Sequence, residues 1–315
     1  MTDTREGLHL HEAADPSWQE NFYFGGWDPD QRAGFGIHLK LIPARQAAQI
    51  RAIVMIDGVH ATAGRRLPLA DVLQYPGYHP RCVEPFRHWH IGLDLDGLPR
   101  ERMAGYMGLE PIAAPDTPIH VDADLRTALA PIDWAQVGKS GAGSNHYDHA
   151  HAWSGTLRIG ARSVVAQGLG IRDHSWGPRS LANLEQAWFV AVVFPGAERH
   201  VTGLCARRAG QTMGFAFHAD THAVQLLPMP EITVTQGVGE PGGYEAVRIV
   251  LPGMDIGTRT QTAIQMPLLA DRYLSSNALG SAGTPAGEGF SFVELGRGLS
   301  DADVEDMLRR AGAKS

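Results

Sequence analysis

Residues 34–43 read Gly-Phe-Gly-Ile-His-Leu-Lys-Leu-Ile-Pro. Large apolar side chains at positions 35, 37, 39 and 41 alternate with small or polar residues at 36, 38 and 40. Successive side chains of a β-strand point to opposite faces, so this alternation predicts a strand with one buried and one polar face. The segment therefore indicates a sheet in which only one side belongs to the apolar core.

Similar short runs occur on both sides of this segment, and many are separated by Gly or Pro. The 315 residues include 37 Gly and 20 Pro, together roughly 18% against about 12% in average proteins. Charged residues make up 19% and hydrophobic residues 43%, which excludes a coiled coil, a helical solenoid and a disordered chain. About fourteen short strands with regular turn signals predict an all-β protein built from barrels or sandwiches.

The domain organisation is predicted from one flexible segment and one helical pattern. Residues 139–144 read Lys-Ser-Gly-Ala-Gly-Ser, a composition typical of linkers. We expect one antiparallel barrel over residues 16–138 and a second over 145–299. Residues 300–315 should form a C-terminal helix, because Ser300 is suited to cap it and Val304, Met307, Leu308 and Ala311 form one apolar stripe.

Charge and cysteine content exclude further classes of protein. The net charge of −7 and the scattered basic residues argue against a nucleic-acid partner. Cys82 and Cys205 are too few and too far apart for a disulfide framework. The polar N-terminus leads into no apolar signal segment, and no run is long enough for a transmembrane helix. We expect a cytoplasmic protein whose oligomeric state the sequence leaves open.

The densest group of reactive side chains lies in residues 170–179, Gly-Ile-Arg-Asp-His-Ser-Trp-Gly-Pro-Arg. On a strand, Arg172, His174 and Trp176 would share one face, and Asp173 and Ser175 the other. An aspartate beside an apolar cavity can have a raised pKa and act as an acid, and histidine titrates near neutrality. The alternative is a structural corner in which an arginine pairs with Asp173 and Trp176 packs as core.

This motif resembles the signature of the tandem-lipocalin superfamily, which includes carotenoid 1,2-hydratases (hydroxyneurosporene synthases) and AttH-like proteins. Further matching positions are the segment 19–24, His146-Tyr147, Gly155, Gly168 and Gly170. The resemblance implies two lipocalin-like barrels and hydration, cyclisation or pericyclic chemistry without a metal or organic cofactor. It also implies that Asp173, His174 and Trp176 line the reaction cavity together with Tyr147. The chain is shorter than a carotenoid hydratase and carries the additional His149 and His151.

Fifteen histidines leave a metal enzyme as one alternative. His88 and His90 would share a strand face, as would His149 and His151. Such pairs can chelate zinc or iron, and a carboxylate could complete the ligand set. In another interpretation, one of these histidines is a general base near Asp173.

The main functional hypothesis is a cofactor-independent acid–base lyase or isomerase acting on an isoprenoid, steroid-like or aromatic molecule. Asp173 would be the general acid, His174 or Tyr147 would orient water or remove the second proton, and Trp176 would shield a cation. The remaining predicted substrate-binding residues are Arg172, Trp188, His88, Trp153 and His149, and no metal site is assigned. A non-catalytic carrier of a hydrophobic ligand is the second hypothesis. It is favoured if Asp173 and His174 face no cavity and are fully occupied by Arg172, Arg179 and backbone partners.

Overall fold

The computed structural model describes residues 4–10, 15–70, 75–99, 115–137, 145–181, 183–236, 244–268 and 272–310. The first ten strands are β1 (Trp18–Asp28), β2 (Ala33–Ile42), β3 (Ala47–Ile56), β4 (Val59–Pro68), β5 (Tyr78–Glu84), β6 (His88–Pro99), β7 (Thr117–Arg126), β8 (Ile132–Asp133), β9 (Asn145–Ile159) and β10 (Arg162–Pro178). The others are β11 (Leu184–Val193), β12 (Arg199–Arg208), β13 (Gln211–Asp220), β14 (Val224–Leu227), β15 (Glu231–Gln236), β16 (Tyr244–Leu251), β17 (Met254–Leu268), β18 (Tyr273–Thr284) and β19 (Gly287–Gly298). Short 3-10 turns lie at Thr4–Glu6, Pro43–Arg45, Trp134–Val137 and Pro195–Ala197.

The first sheet closes on itself. Its strands follow the order β10-β1-β2-β3-β4-β6-β7-β9, and β9 pairs back with β10. Alternate residues of β2, including Phe35, Ile37 and Leu39, are buried in the core of this barrel. The alternation in residues 34–43 is thus confirmed, since His38 and Lys40 lie on the opposite face.

The second sheet has nine antiparallel strands in the order β14-β13-β12-β11-β19-β18-β17-β16-β15. It curves as a half-barrel around its own apolar cluster, which includes Val190, Val192 and Ile249. The prediction of an all-β chain with two consecutive barrel-like units is confirmed.

The division between the two sheets lies later in the chain than the predicted linker. Strands β9 and β10 follow residue 144, yet both belong to the first sheet. Strand β10 pairs with β1 from Trp18↔Pro178 to Trp27↔Leu169, and β9 pairs with β7, so these two strands close the barrel. The first sheet therefore extends to Pro178, and the second begins at Leu184 rather than at residue 145. The predicted linker at residues 139–144 lies outside the described residues.

Glycines allow the strands beside the barrel closure to approach closely. A Cβ atom on Gly168 would overlap the carbonyl oxygen of Trp27, and one on Gly170 would overlap that of Gly25. Only a residue without a side chain fits where backbones pass this near. The two glycines thus hold β10 against β1 next to the reactive motif.

The two sheets pack face to face through a third apolar cluster. Ile53, Ala150 and Ile171 from the outer face of the barrel meet Ala191 and Phe292 of the second sheet. This contact covers part of the barrel's outer face and leaves a cavity beside it.

The chain ends in the one α-helix among the described residues, α1 (Asp301–Arg310). The predicted cap is present, because the Ser300 hydroxyl accepts from Asp303 N–H at 3.2 Å and Ser300 N–H donates to the Asp303 carboxylate at 2.9 Å. The predicted last turn, residues 311–315, lies outside the described residues. No helix of the described chain is long and apolar enough to cross a membrane.

Candidate active site

Strand β10 directs the reactive side chains of residues 172–176 to two separate places. Its register with β9 pairs Arg172 with His149, Asp173 with Asp148 and His174 with Tyr147. Arg172, His174 and Trp176 point into the first barrel, and Asp173 and Ser175 point towards the second sheet. The predicted alternation is correct. However, Asp173 and His174 do not share one cavity, because neighbouring residues of a strand face opposite sides.

Arg172 is fixed inside the barrel by an ion pair with Glu6. Both side chains are almost fully buried, and the Arg172 guanidinium contacts the Glu6 carboxylate directly. Glu6 also accepts from the Tyr147 hydroxyl at 2.9 Å and from Trp89 Nε1 at 2.5 Å. The N-terminal segment around Glu6 therefore supplies the negative charge that a buried guanidinium requires.

His174 is also held by partners within the barrel. Its Nε2 lies 2.9 Å from Glu20 Oε1, its Nδ1 lies 3.0 Å from the carbonyl oxygen of Arg5, and Phe22 stacks on its ring at 3.9 Å. Burial raises the pKa of Glu20, but hydrogen bonds from His174 and His9 outweigh it and hold this pKa below its ordinary value. Burial lowers the pKa of His174 against the attraction of Glu20.

Glu6, Tyr147, Arg172, His174 and Trp176 lie together inside the first barrel, and we call them the inner cluster. Their contacts make the inner cluster a satisfied polar network rather than an open site. The Tyr147 hydroxyl donates a hydrogen bond to Glu6 and accepts one from Arg172, and Trp176 stacks on His9 with ring centroids 3.9 Å apart. The partners of Arg172, His174, Tyr147 and Trp176 are therefore protein groups, which is the pattern expected of a structural role.

The outer face of β10 borders a cavity of about 240 Å³ between the two sheets. Strands β1, β2, β3 and β10 supply one wall, and β11, β18 and β19 supply much of the other. The apolar lining includes Trp134, Leu181, Phe189, Leu204, Met266 and Phe292. The polar lining includes Asn21, Tyr23, His38, Lys40, Arg51, His146, Asp173, Arg179, Asn277 and Glu294.

Two aspartates and a histidine form an Asp–His–Asp cluster at this cavity. His146 Nε2 contacts Asp173 Oδ2 directly and lies 3.3 Å from Asp148 Oδ1. Asp148 is fully buried behind the cavity wall and accepts from Trp134 Nε1 at 2.7 Å and from the Thr202 hydroxyl at 2.9 Å. Asp173 remains partly exposed to the cavity, with 18% of its side-chain surface accessible. The three groups can therefore share protons, and Asp173 faces the space where a ligand would lie.

The charges of the Asp–His–Asp cluster depend strongly on one another. Burial alone would lower the pKa of His146, but attraction to Asp173 and Asp148 raises it to about 9. Burial raises the pKa of Asp148 to about 6 against the attraction of His146. Burial also acts to raise the pKa of Asp173, but His146, Asp148 and Arg179 together hold it below its ordinary value. The cluster thus retains a proton near neutral pH, mainly on His146, rather than on Asp173 as the sequence alone suggested.

Four other predicted substrate-binding residues lie away from this cavity. Trp153 is buried in the barrel core against Phe35. His149 is buried, and its Nε2 lies 2.9 Å from the carbonyl oxygen of Leu129. His88 lies 2.6 Å from the partly exposed Asp124 on the outside of the barrel.

Trp188, the fourth, belongs to β11. The next residue, Phe189, lines the cavity, so Trp188 lies on the face of the second sheet that carries Val190 and Val192. Side-chain alternation along the strands places all four residues on faces that do not border the cavity. The sequence does not reveal which face of each sheet borders it.

Groups that could hold a metal ion differ from the predicted histidine pairs. Among the described residues, His9, Glu20 and His174 form one group of three potential ligands. His146, Asp148 and Asp173 form another. Neither contains His88, His90, His149 or His151, and burial lowers the pKa of both His149 and His151 to about 3.

Several residues at the cavity were not among the predicted site residues, notably His146, Trp134 and Arg51, nor was Asp148, which lies behind the cavity wall. Alternation in residues 146–151 places His146 and Asp148 on the face opposite Tyr147. The pairing of β9 with β10 then brings that face beside Asp173. The sequence therefore predicted a histidine near Asp173. It did not show that His146 is this histidine, because the pairing of strands β9 and β10 cannot be read from one sequence.

Comparison with known proteins agrees with this fold. A family described as "Domain of unknown function (DUF7064)" matches residues 2–234. No curated protein matches the chain. A putative AttH from Nitrosomonas europaea superposes with a TM-score of 0.67 at 12% identity, covering 94% of this chain and 95% of that one.

Two further solved structures are similar. CghA with Sch210972 gives a TM-score of 0.56 at 11% identity and covers 91% of this chain and 89% of its own. Kievitone hydratase from Nectria haematococca gives 0.53 at 10% identity and covers 93% of both chains. The resemblance to the hydratase and AttH-like superfamily is confirmed at the level of the fold.

Proposed function

The chain belongs to the DUF7064 family, and we propose that it is an acid–base lyase or isomerase whose substrate lies in the cavity between the two sheets. The observation that carries this proposal is the Asp–His–Asp cluster, in which Asp173 faces the cavity and contacts His146. A hydratase and CghA are among the similar structures, which agrees with the proposal.

The cavity suits a hydrophobic molecule with an alkene or a leaving hydroxyl group. Trp134, Phe189, Leu204 and Phe292 supply apolar surface. Trp134 stacks on His146 with ring centroids 3.7 Å apart, so its ring lies beside the acid–base groups. An aromatic face can stabilise a developing cation. This assigns to Trp134 the shielding role that the sequence suggested for Trp176.

Ligand binding would itself activate Asp173. In the hydrated cavity the proton resides mainly on His146, as an ion pair with Asp173. An apolar ligand that displaces water makes charge separation more costly, because Coulomb and desolvation energies increase at low dielectric constant. The proton then shifts to Asp173, giving a neutral imidazole and a carboxylic acid next to the substrate.

Hydration would then proceed in two steps. Asp173 gives its proton to one alkene carbon, which leaves a carbocation at the other carbon and a carboxylate on Asp173. Water adds to the cation, and the proton that it releases passes to the His146–Asp173 pair, which restores the starting state. Dehydration is the reverse, and loss of a proton from a neighbouring carbon instead gives an isomerised alkene. Residues of the chain supply both proton transfers, so this route requires no organic cofactor.

Solvent deuterium incorporation tests this proposal. Isoprenoid, steroid and phenolic alkenes are first screened for binding by native mass spectrometry, and those that bind are incubated with the protein in D₂O. We expect a carbon-bound deuterium in at least one bound compound. Asp173→Asn should reduce its rate of formation by about 10²–10⁴-fold, the usual contribution of a general acid.

The matched control is Asp122→Asn, which neutralises an exposed aspartate of the same sheet and should leave the rate unchanged. Bound compounds that gain no deuterium would instead identify a carrier and overturn the proposal. Equal rates for Asp173→Asn and the unsubstituted protein would also overturn it.

A further inference from the structure

A row of polar side chains crosses the cavity wall from the Asp–His–Asp cluster to Arg51. The strand registers place Asp173 opposite Tyr23, Tyr23 opposite His38, and His38 opposite Arg51. These four residues line the cavity from four adjacent strands. Adjacent strands lie about 4.8 Å apart, so Arg51 is about 14 Å from Asp173 along the sheet.

Arg51 is a cation without an anionic partner among the residues that the structure describes. One guanidinium nitrogen lies 3.0 Å from the Met266 sulfur and another donates to Gln49 Oε1 at 3.1 Å. A thioether is a weak acceptor, and a guanidinium has five N–H donors. Burial lowers the pKa of Arg51, and no carboxylate of the described residues opposes this effect.

Asn21 is the hydrogen-bond partner of His38, the residue that lies beside Arg51 in this row. Its Oδ1 lies 3.2 Å from His38 Nε2, while its buried Nδ2 has no hydrogen-bond partner among the described residues. Burial, with Arg51 and Lys40 nearby, lowers the pKa of His38 to about 3, so this imidazole is neutral and can donate to Asn21. Asn21 thereby orients the neutral His38 ring, which lies between Tyr23 and Arg51 in the row.

Near Asp173, the cavity holds both a cation and two carboxylates. Arg179 lies in the fields of Asp173 and Glu294, and it donates to the Ser175 hydroxyl at 2.8 Å. Arg51 differs from Arg179 in this respect, because its hydrogen-bond partners among the described residues are a thioether and an amide oxygen.

We propose that Arg51 binds a carboxylate group of the substrate, which makes the substrate class apolar carboxylic acids. This inference rests on the proposed use of the cavity as the substrate site. A guanidinium pairs with a carboxylate through two parallel hydrogen bonds. With the carboxylate at Arg51, the reacting double bond lies about 14 Å away, three strand spacings along the sheet. The site thus selects substrates by both charge and length.

The test compares binding of geranylgeranoic acid and geranylgeraniol, which share one hydrocarbon chain and differ in the head group. Dissociation constants are measured by isothermal titration calorimetry for the unsubstituted protein, Arg51→Gln, Arg51→Lys and Asp173→Asn. The control is Arg66→Gln, an exposed residue on the neighbouring strand that removes the same charge outside the cavity.

We expect the acid to bind at least about tenfold more tightly than the alcohol. Arg51→Gln should abolish this preference through weaker acid binding, with the alcohol within about twofold of its original affinity. Arg51→Lys should keep part of the preference, which excludes a general folding defect, and Arg66→Gln should keep all of it. Equal affinities for the two ligands, or equal losses of both in Arg51→Gln, would overturn the inference.

Asp173→Asn separates this inference from the proposed function. The variant should still prefer the acid, because Arg51 is untouched and one negative charge has been removed from the cavity. If it keeps that preference and also keeps full deuterium incorporation, the carboxylate site stands and the acid–base proposal fails. If Asp173 is essential but the acid is not preferred, only the carboxylate site fails.

Discussion

The Glu6→Gln substitution tests whether the inner cluster of the first barrel is structural. It preserves the size of the side chain but removes the only negative charge that the described structure places against the Arg172 guanidinium. The amide can still accept from one neighbour, although Glu6 now receives hydrogen bonds from Tyr147 and Trp89 as well. The main effect is thus an unpaired buried cation.

The magnitude follows from the burial of the pair. The side chains of Arg172 and Glu6 are 3% and 2% exposed, so solvent screens their interaction very little. Removing one partner of such a buried pair costs about 3–5 kcal/mol of unfolding free energy. We expect a loss of about 3 kcal/mol for Glu6→Gln, because the substituted side chain retains some hydrogen bonding.

Urea unfolding followed by circular dichroism measures this loss. Glu198→Gln neutralises an exposed glutamate and should change the unfolding free energy by less than about 0.5 kcal/mol. The double variant Glu6→Gln/Arg172→Met should lose less unfolding free energy than the sum of the losses of the two single variants, because it also removes the unpaired buried charge. A loss below about 1 kcal/mol for Glu6→Gln would refute the structural interpretation of the inner cluster.

Three further predictions concern the cavity and the barrel closure. The pKa of His146 is raised to about 9 in the folded protein, from a value near 6.5 in the unfolded chain. The stabilisation that His146 provides is therefore fully present below about pH 6.5 and is lost as pH rises through 9. The unfolding free energy of the unsubstituted protein should exceed that of His146→Gln by more at pH 6 than at pH 9.5, and a constant difference would contradict this. Gly170→Ala should lower the melting temperature, because the added Cβ would overlap backbone atoms. The control Gly257→Ala should leave it unchanged, because no atom lies within 4 Å of a Cβ at that position. Equal melting temperatures of the two variants would disprove the close approach of strands β10 and β1. Trp134→Phe removes the hydrogen bond to the buried carboxylate of the Asp–His–Asp cluster. The matched control is Trp153→Phe, because Trp153 Nε1 has no partner among the described residues. In urea unfolding, Trp134→Phe should lower the unfolding free energy by about 1–3 kcal/mol more than the control, and equal losses would show that this hydrogen bond adds no stability.

Local pattern predicted the strands well because alternation follows from backbone geometry alone. Residues 34–43 show this clearly, since Phe35, Ile37 and Leu39 are buried and His38 lines the cavity. The same rule correctly separated Asp173 from His174.

Long-range pairing could not be predicted from one sequence. The expected division at residues 139–144 followed local composition. In the structure, β9 and β10 instead close the first barrel by pairing with β7 and β1. Loop-like composition reveals where the chain bends, but it does not determine which sheet the next strand joins.

The same limit applies to the candidate site. Clustering along the chain placed His174, Tyr147 and Trp176 beside Asp173, whereas the strand faces separate them. Arg51 and Trp134 are distant in sequence and approach Asp173 only through sheet registers and the packing of the second sheet. Glu6, which neutralises Arg172, comes from an N-terminal segment without a recognisable motif.

A crystal structure with geranylgeranoic acid bound would test the central claim most directly, because it shows which face of β10 receives the ligand. We predict electron density in the cavity between the two sheets, with the carboxylate on Arg51 and the chain extending past Tyr23 towards Asp173. Density inside the first barrel, against His174, Tyr147 and Trp176 after displacement of Glu6, would contradict the account.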